Sequence, residues 1–202
     1  MEGKILALVA PAASPAAGPA LDHDDDEWML LARSGRPGAF DSLVRRHQGR
    51  ALAVAHRYLG QRDLAKDVAQ NTFLEIYRRL DTYRADGKFR AYFHRVLLNQ
   101  CRMAARSRRT RSRFHERLAD ASPDELARMP DEQILARERE RQVERGLQCL
   151  SDKLRSVVVL AFSAGLSHGE IAEALDIKVG TVKSRLSAAL VVLRAELGDG
   201  RS

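Results

Sequence analysis

The segment "VGTVKSRLSAALVVLRAEL" near the end of the chain opens with Gly180, Thr181, Lys183, Ser184 and Arg185 and continues in alanines and valines. Two cations and two hydroxyls on the first turns of a helix suit phosphate oxygens and base edges in a DNA major groove. A second group lies between Lys88 and Arg113. Its nine basic residues are Lys88, Arg90, Arg95, Arg102, Arg106, Arg108, Arg109, Arg111 and Arg113, with no acid between them and with Phe89, Tyr92 and Phe93 among the first. Cations neutralise phosphates and aromatic faces stack on unpaired bases, a mixture that suits a melted strand. A solvated basic helix with its aromatics in the core has the same spacing, and both readings stand. Covalent chemistry finds less support. His47, His56, His94, His115 and His168 never pair with carboxylates at a metal or acid–base spacing, and there is no phosphate-binding glycine loop. Cys101 and Cys149 are far apart, without a second cysteine at metal or redox spacing. The expectation is a chain with no catalytic site, no metal and no cofactor.

The elements that must position these groups are helical. Apolar residues recur at spacings of three and four through "WMLLARSGRPGAFDSLVRRHQGRALAVAHRYL" and again at Leu64, Val68, Thr72, Ile76 and Leu80. No alternating strand pattern and no internal repeat competes with them. The Ala- and Pro-rich residues 1–24 cannot build a core and are expected to be a disordered tail. Its "ILALVA" imitates the apolar core of a signal peptide only weakly, and no run approaches the about 20 residues of a membrane helix. The acidic run "DHDDDE", Asp22 to Glu27, reads as a helix start, where negative charge meets the positive end of the helix dipole. "SPDELARMPDEQ", with Pro123 and Pro130, reads as a linker between two helical domains. Beyond it, Ser151 is a candidate N-cap and Gly165 a candidate stop, and "SHGE" from Ser167 to Glu170 has capping-box spacing. A turn at Asp176 then leads to the last helix. There Val182, Leu186, Ala189 and Leu193 share one face while Thr181, Arg185 and Ala188 share another, which is helix-turn-helix logic. A net charge of +7 agrees with a polyanionic partner, and two distant cysteines with a reducing, cytoplasmic setting.

Three segments carry a family resemblance. "EIAEALDIKVGTVKSRL" is similar to the promoter-reading motif of bacterial sigma factors, "DLAKDVAQNTFLEIYRRL" resembles their polymerase-binding helix, and "FRAYFHRVLLNQCRMAARSRR" resembles their promoter-opening segment. They stand in family order, and the chain is identified as a member of the minimal, extracytoplasmic-function class. The resemblance implies an all-α protein of two helical domains: a region 2 domain over 25–113, a linker over 114–132, and a region 4 helix-turn-helix domain over 133–198. It implies that Asp67, Gln70, Asn71 and Glu75 dock on RNA polymerase core, on the clamp helices of the large subunit, with region 4 on the flap. Asn71 stands where the family usually has an acid, and Phe73 falls to the core. Tyr83, Arg84, Lys88, Arg90, Tyr92, Arg95, Asn99, Arg102, Arg106, Arg108 and Arg109 would serve the minus-ten element of promoter DNA. Within that set the loop Asp81 to Lys88 would capture a flipped base, a step that costs a few kcal/mol and requires a pocket with stacking and polar groups. Ser167, Gly180, Thr181, Lys183, Ser184 and Arg185 would read the minus-thirty-five element. Ala188 and Leu190 stand where the family commonly has cations. The apolar end at Leu190, Val191 and Val192 is either a wider buried face or a partner surface. An anti-sigma factor is a further implied partner. The rival reading is a transcriptional regulator that uses the same helix-turn-helix on an operator without polymerase.

Overall fold

The computed structural model describes residues 24–112 and 131–198. These fold into α1 (Asp25–Arg33), α2 (Ala39–Leu59), α3 (Arg62–Arg78), a 3-10 turn (Leu80–Thr82), α4 (Phe89–Ser112), α5 (Asp131–Cys149), α6 (Asp152–Phe162), α7 (His168–Leu175) and α8 (Val179–Gly198), with no strand among the described residues. The expected tail and linker lie outside them except at their last residues. Asp24 is the N-cap of α1, and Asp131 and Glu132 already belong to α5.

Local chemistry accounts for the element ends. Asp24 accepts the Asp26 N–H at 2.6 Å. Gly60, at φ 69°, ends α2 and sends its N–H back to His56 O at 2.8 Å. The Ser167–Glu170 capping box is formed in both directions, Ser167 N–H to Glu170 Oε2 at 2.7 Å and Glu170 N–H to Ser167 Oγ at 3.2 Å. Asp176 takes the left-handed conformation, φ 53°, as the C-cap of α7. Ser151 occupies the N-cap position of α6 without a capping side-chain bond, and α6 ends at Phe162, before Gly165.

The periodic positions Val68, Thr72, Ile76 and Leu80 are buried, with Leu64 partly so, and the Thr72 hydroxyl satisfies itself on Val68 O at 2.8 Å. Phe73, Phe89 and Phe93 are core residues, Phe93 packing on Phe73, Phe89 and His47. In α8 Val182, Ala189 and Leu193 are buried and Leu186 is partly buried.

The two halves, α1–α4 and α5–α8, share one cluster of buried side chains, with α2 against α5 and α6, and α4 against α6 and α7. Arg155 of α6 is the main polar joint. It donates to Leu147 O (2.8 Å), Gln148 O (2.9 Å) and Leu150 O (3.0 Å) around the end of α5, and to Tyr58 O (3.2 Å) at the end of α2, with its guanidinium 5.4 Å from the Tyr58 ring centroid. The last carbonyls of a helix lack intrahelical donors and carry the negative end of its dipole, so one cation serves two helix ends.

His94 of α4 is buried, with Nδ1 2.7 Å from Arg90 O. Burial, then the nearby charges of Arg90, His47 and Arg50, push its pKa down to about 4 against an ordinary 6.5. Between those values the unfolded chain binds the proton and the folded chain does not, so stability falls as pH drops from 6.5 to 4. The loss is worth about 3 kcal/mol at 1.36 kcal/mol per unit. His94→Gln is expected to flatten this slope, read from urea midpoints across that pH range.

Candidate nucleic-acid and polymerase interfaces

The head of α8 is presented as the helix-turn-helix pattern requires. Gly180, Lys183, Ser184 and Ala188 are exposed and Thr181 and Arg185 partly so, while the opposite face of the helix is buried. The Ser184 hydroxyl donates to Thr181 O at 3.1 Å, a bond it must exchange to donate to a phosphate. The Ser167 hydroxyl is engaged in the capping box, so Ser167, an exposed residue, fixes the start of α7. At the apolar end Val191 is 64% exposed, and Leu190 and Val192 are partly buried. Val191 is therefore not part of a widened core.

On α3, Asp67, Gln70, Asn71 and Leu74 are exposed and follow one another at spacings of three, one and three, so they form a single stripe, continued by Tyr77. Glu75 lies beside this stripe. It is partly buried, and its carboxylate accepts the Arg79 Nε–H at 2.6 Å, so it is held within its own helix.

The basic row of α4 is arranged differently from the exposed face that the sequence suggests. Lys88, just before the helix, is 2.8 Å from Glu173 of α7, and that carboxylate holds its ammonium above the ordinary lysine range. Arg90 pairs with Glu170 at 2.9 Å and donates to Gly165 O at 3.2 Å. Arg95 donates to Glu173 O and, at 3.3 Å, to Ala174 O, the carbonyls at the end of α7, and Arg102 reaches Ser156 Oγ at 3.1 Å. Four predicted DNA contacts are thus turned onto the second half of the chain. Arg84, Asn99, Arg106 and Arg108 are exposed, and the side chain of Arg109 lies outside the described residues. Tyr92 is half-buried against Tyr83, ring centroids 5.1 Å apart. Tyr83 itself is buried, its hydroxyl bound to Asp26, so it supports the loop from beneath and its ring is not offered to a base.

Sequence reasoning missed Arg155, the acids of α7 that meet α4, and the separate tasks inside the acidic run. Asp24 caps α1. Asp25 lies 3.0 Å from His47 and 3.4 Å from Arg46; burial works against its charge, but those partners hold its carboxyl below the usual range. Asp26 faces inward. Among the described residues no group of three or more His, Cys, Asp or Glu side chains is placed to hold a metal ion. No helix among them is long and apolar enough to cross a membrane.

Comparison with known proteins agrees with this architecture. The family described as Sigma-70 region 2 matches residues 43–111, and that described as Sigma-70, region 4 matches residues 140–193. The chain is similar to the RNA polymerase sigma-H factor of Pseudomonas aeruginosa, 30% identical over 174 residues that cover 81% of this chain and 89% of the relative. It is 31% identical over 170 residues to the ECF RNA polymerase sigma-E factor of Escherichia coli K12, covering 80% of this chain and 88% of that one. Among solved structures, CnrH in complex with the cytosolic domain of CnrY is similar with a TM-score of 0.68 and 29% identity, over 88% of this chain and 99% of CnrH. With both halves matched in order and such relatives aligned over nearly their whole length, the chain belongs to the sigma-70 family, in its extracytoplasmic-function class.

Proposed function

We propose that this sigma factor works through three surfaces: the α3 stripe of Asp67, Gln70 and Asn71 on RNA polymerase, the loop 81–88 with α4 on the minus-ten strand, and the head of α8 on the minus-thirty-five duplex. As a member of its family the chain binds RNA polymerase core and directs promoter-specific transcription initiation. The family is not an enzyme class; in this reading the chain acts in the cytoplasm and performs no covalent chemistry of its own. The observation that carries the assignment of surfaces is the α3 stripe, exposed on the half of the chain that lacks the helix-turn-helix. An operator-binding regulator needs only the second half. The test is run-off transcription with purified core polymerase on a promoter library. Specific transcripts that need both components support the reading; tight, sequence-specific binding of the chain to duplex DNA without polymerase overturns it.

The row Lys88, Arg90, Arg95 meets α7 in this arrangement, so these side chains reach a melted strand only once the halves part. Exposed pairs such as Lys88–Glu173 contribute little in water and salt, so this contact yields readily to phosphates. An anti-sigma partner belongs to the same reading: CnrH is solved with the cytosolic domain of CnrY, and exposed Val191 beside Leu190 offers an apolar surface. On the DNA side, Ala188→Arg is expected to tighten holoenzyme binding to DNA containing the upstream element. Each new phosphate contact steepens the slope of log affinity against log salt by about 0.9, which a salt titration reads directly.

A further inference from the structure

The loop between the 3-10 turn and α4 is held at both ends by one side chain from a helix far away in sequence. Asp26, in the first turn of α1, is only 8% exposed although it is a carboxylate. Its Oδ1 accepts the Tyr83 hydroxyl at 2.7 Å and, at 3.4 Å, the N–H of Gly87. Arg33, at the other end of α1, adds Nη1 to Tyr83 O at 3.3 Å. Between the two anchors Arg84, Ala85 and Asp86 are exposed. Gly87 holds φ 76°, a left-handed conformation that glycine adopts without strain and that lets the chain turn back over the carboxylate. Beneath the loop, Tyr83 packs edge-on against Phe89 at 6.2 Å and against Tyr92 at 5.1 Å. Burial and the Asp26 carboxylate hold the phenol protonated far above its ordinary range, so it remains the donor at any working pH.

We infer that Asp26 is a positioning residue for promoter reading: by binding Tyr83 and Gly87 together, its carboxylate fixes the ends of the loop so that Arg84, Ala85 and Asp86 stand as a preformed receptor for an unstacked base. This rests on the reading that the loop meets the flipped minus-ten base. The physical reason for such a device is entropic. A loop ordered only on contact pays its ordering cost out of the interaction, equally for every base, whereas a fixed loop lets each base be tested against one geometry. A buried carboxylate is an effective anchor because charge-assisted hydrogen bonds are roughly twice as strong as neutral ones.

The experiment uses holoenzyme formed from the full chain and core polymerase, with single-stranded minus-ten oligonucleotides that carry each of the four bases at the flipped position. The readout is the ratio of the best to the worst base, which is independent of the fraction of active protein. Tyr83→Phe is expected to compress this ratio by about tenfold for the loss of one hydrogen bond to a charged group, Asp26→Ala, which also frees the Gly87 N–H, by at least as much, and the double variant to lose no more than Asp26→Ala alone. Asp26→Asn, which still accepts from the Tyr83 hydroxyl, is expected to keep most of it. Core binding stays at the wild-type level in all of them. Tyr83→Phe removes one oxygen from a packed ring, so it keeps the test interpretable if Asp26→Ala folds poorly. Arg84→Ala and Asp86→Ala distinguish the two layers of the argument. If the tip variants change base preference while Asp26→Ala and Tyr83→Phe do not, the clamp is wrong and the loop assignment stands. If none of the four changes it, the loop does not read the base and both fall.

Discussion

Arg155→Met is expected to lower the unfolding free energy by about 3 kcal/mol. The guanidinium makes four hydrogen bonds to carbonyls, three of them around the end of α5 and one at the end of α2. Methionine fills much of the same volume and supplies no donor. Two of the carbonyls retain another partner: Leu147 O accepts the Leu150 N–H at 3.2 Å, and Tyr58 O accepts Gln148 Nε2 at 3.2 Å. Gln148 O and Leu150 O are supplied by Arg155, and leaving them without it costs about 1 kcal/mol or more each. The remainder is the lost charge at two helix ends and the contact with the Tyr58 ring. Arg155→Lys keeps the charge but not the planar fork, so it is expected to recover less than half of the loss. Gln148→Ala, which removes only one bond between the halves, should cost under about 1 kcal/mol. Urea unfolding of the three variants checks the order. Equal midpoints for wild type and Arg155→Met would mean that water replaces the guanidinium at no cost and that the joint is not a source of stability.

What could be read from the sequence divides by distance along the chain. The capping box at Ser167, the turn at Asp176 and the buried face of α8 are determined within a few residues of themselves, and the local pattern placed them correctly. Thr72 among apolar neighbours was legible for the same reason, since a threonine can satisfy its own hydroxyl one turn back. The basic run was ambiguous because composition does not say which way a side chain points. Helical phase decided it: Phe89 and Phe93 turn to the core, Tyr92 is half-buried, and the cations take the opposite face. That this face meets Glu170, Glu173 and the end of α7 depends on residues 75 to 85 positions away, where no local pattern reaches. The acidic run shows the same limit within three residues. Asp24 behaves as a helix-start acid, but Asp25 answers to His47 and Asp26 to Tyr83, partners that only the folded chain brings near.

Asp67→Arg is expected to weaken binding to core polymerase by about 30- to 100-fold, a loss of about 2 to 3 kcal/mol that falls in the range of interface hot spots. Asp67, Gln70, Asn71 and Leu74 lie on the solvent side of α3, opposite the buried Ala65, Val68, Thr72 and Ile76. A substitution there leaves the core untouched, so helical content and unfolding midpoint should change by no more than about 0.5 kcal/mol. Leu74, 45% exposed, and Tyr77, 57% exposed, give the stripe an apolar centre beside its acid and amides, the composition of a protein interface rather than of a solvated helix face. Two variants then separate its polar and apolar parts. Charge reversal at Asp67 removes an attraction and adds a repulsion, and since exposed charges are screened over about 8 Å at physiological salt, that defect should shrink as salt is raised. Leu74→Glu removes apolar contact and buries a charge against the partner, and its defect should persist in high salt. Titrating labelled core polymerase with each folded variant at low and high salt provides the measurement. If folded Asp67→Arg and Leu74→Glu both bind core as tightly as the wild type at low salt, α3 is not the docking helix, and the exposed Leu74 and Tyr77 must serve another partner.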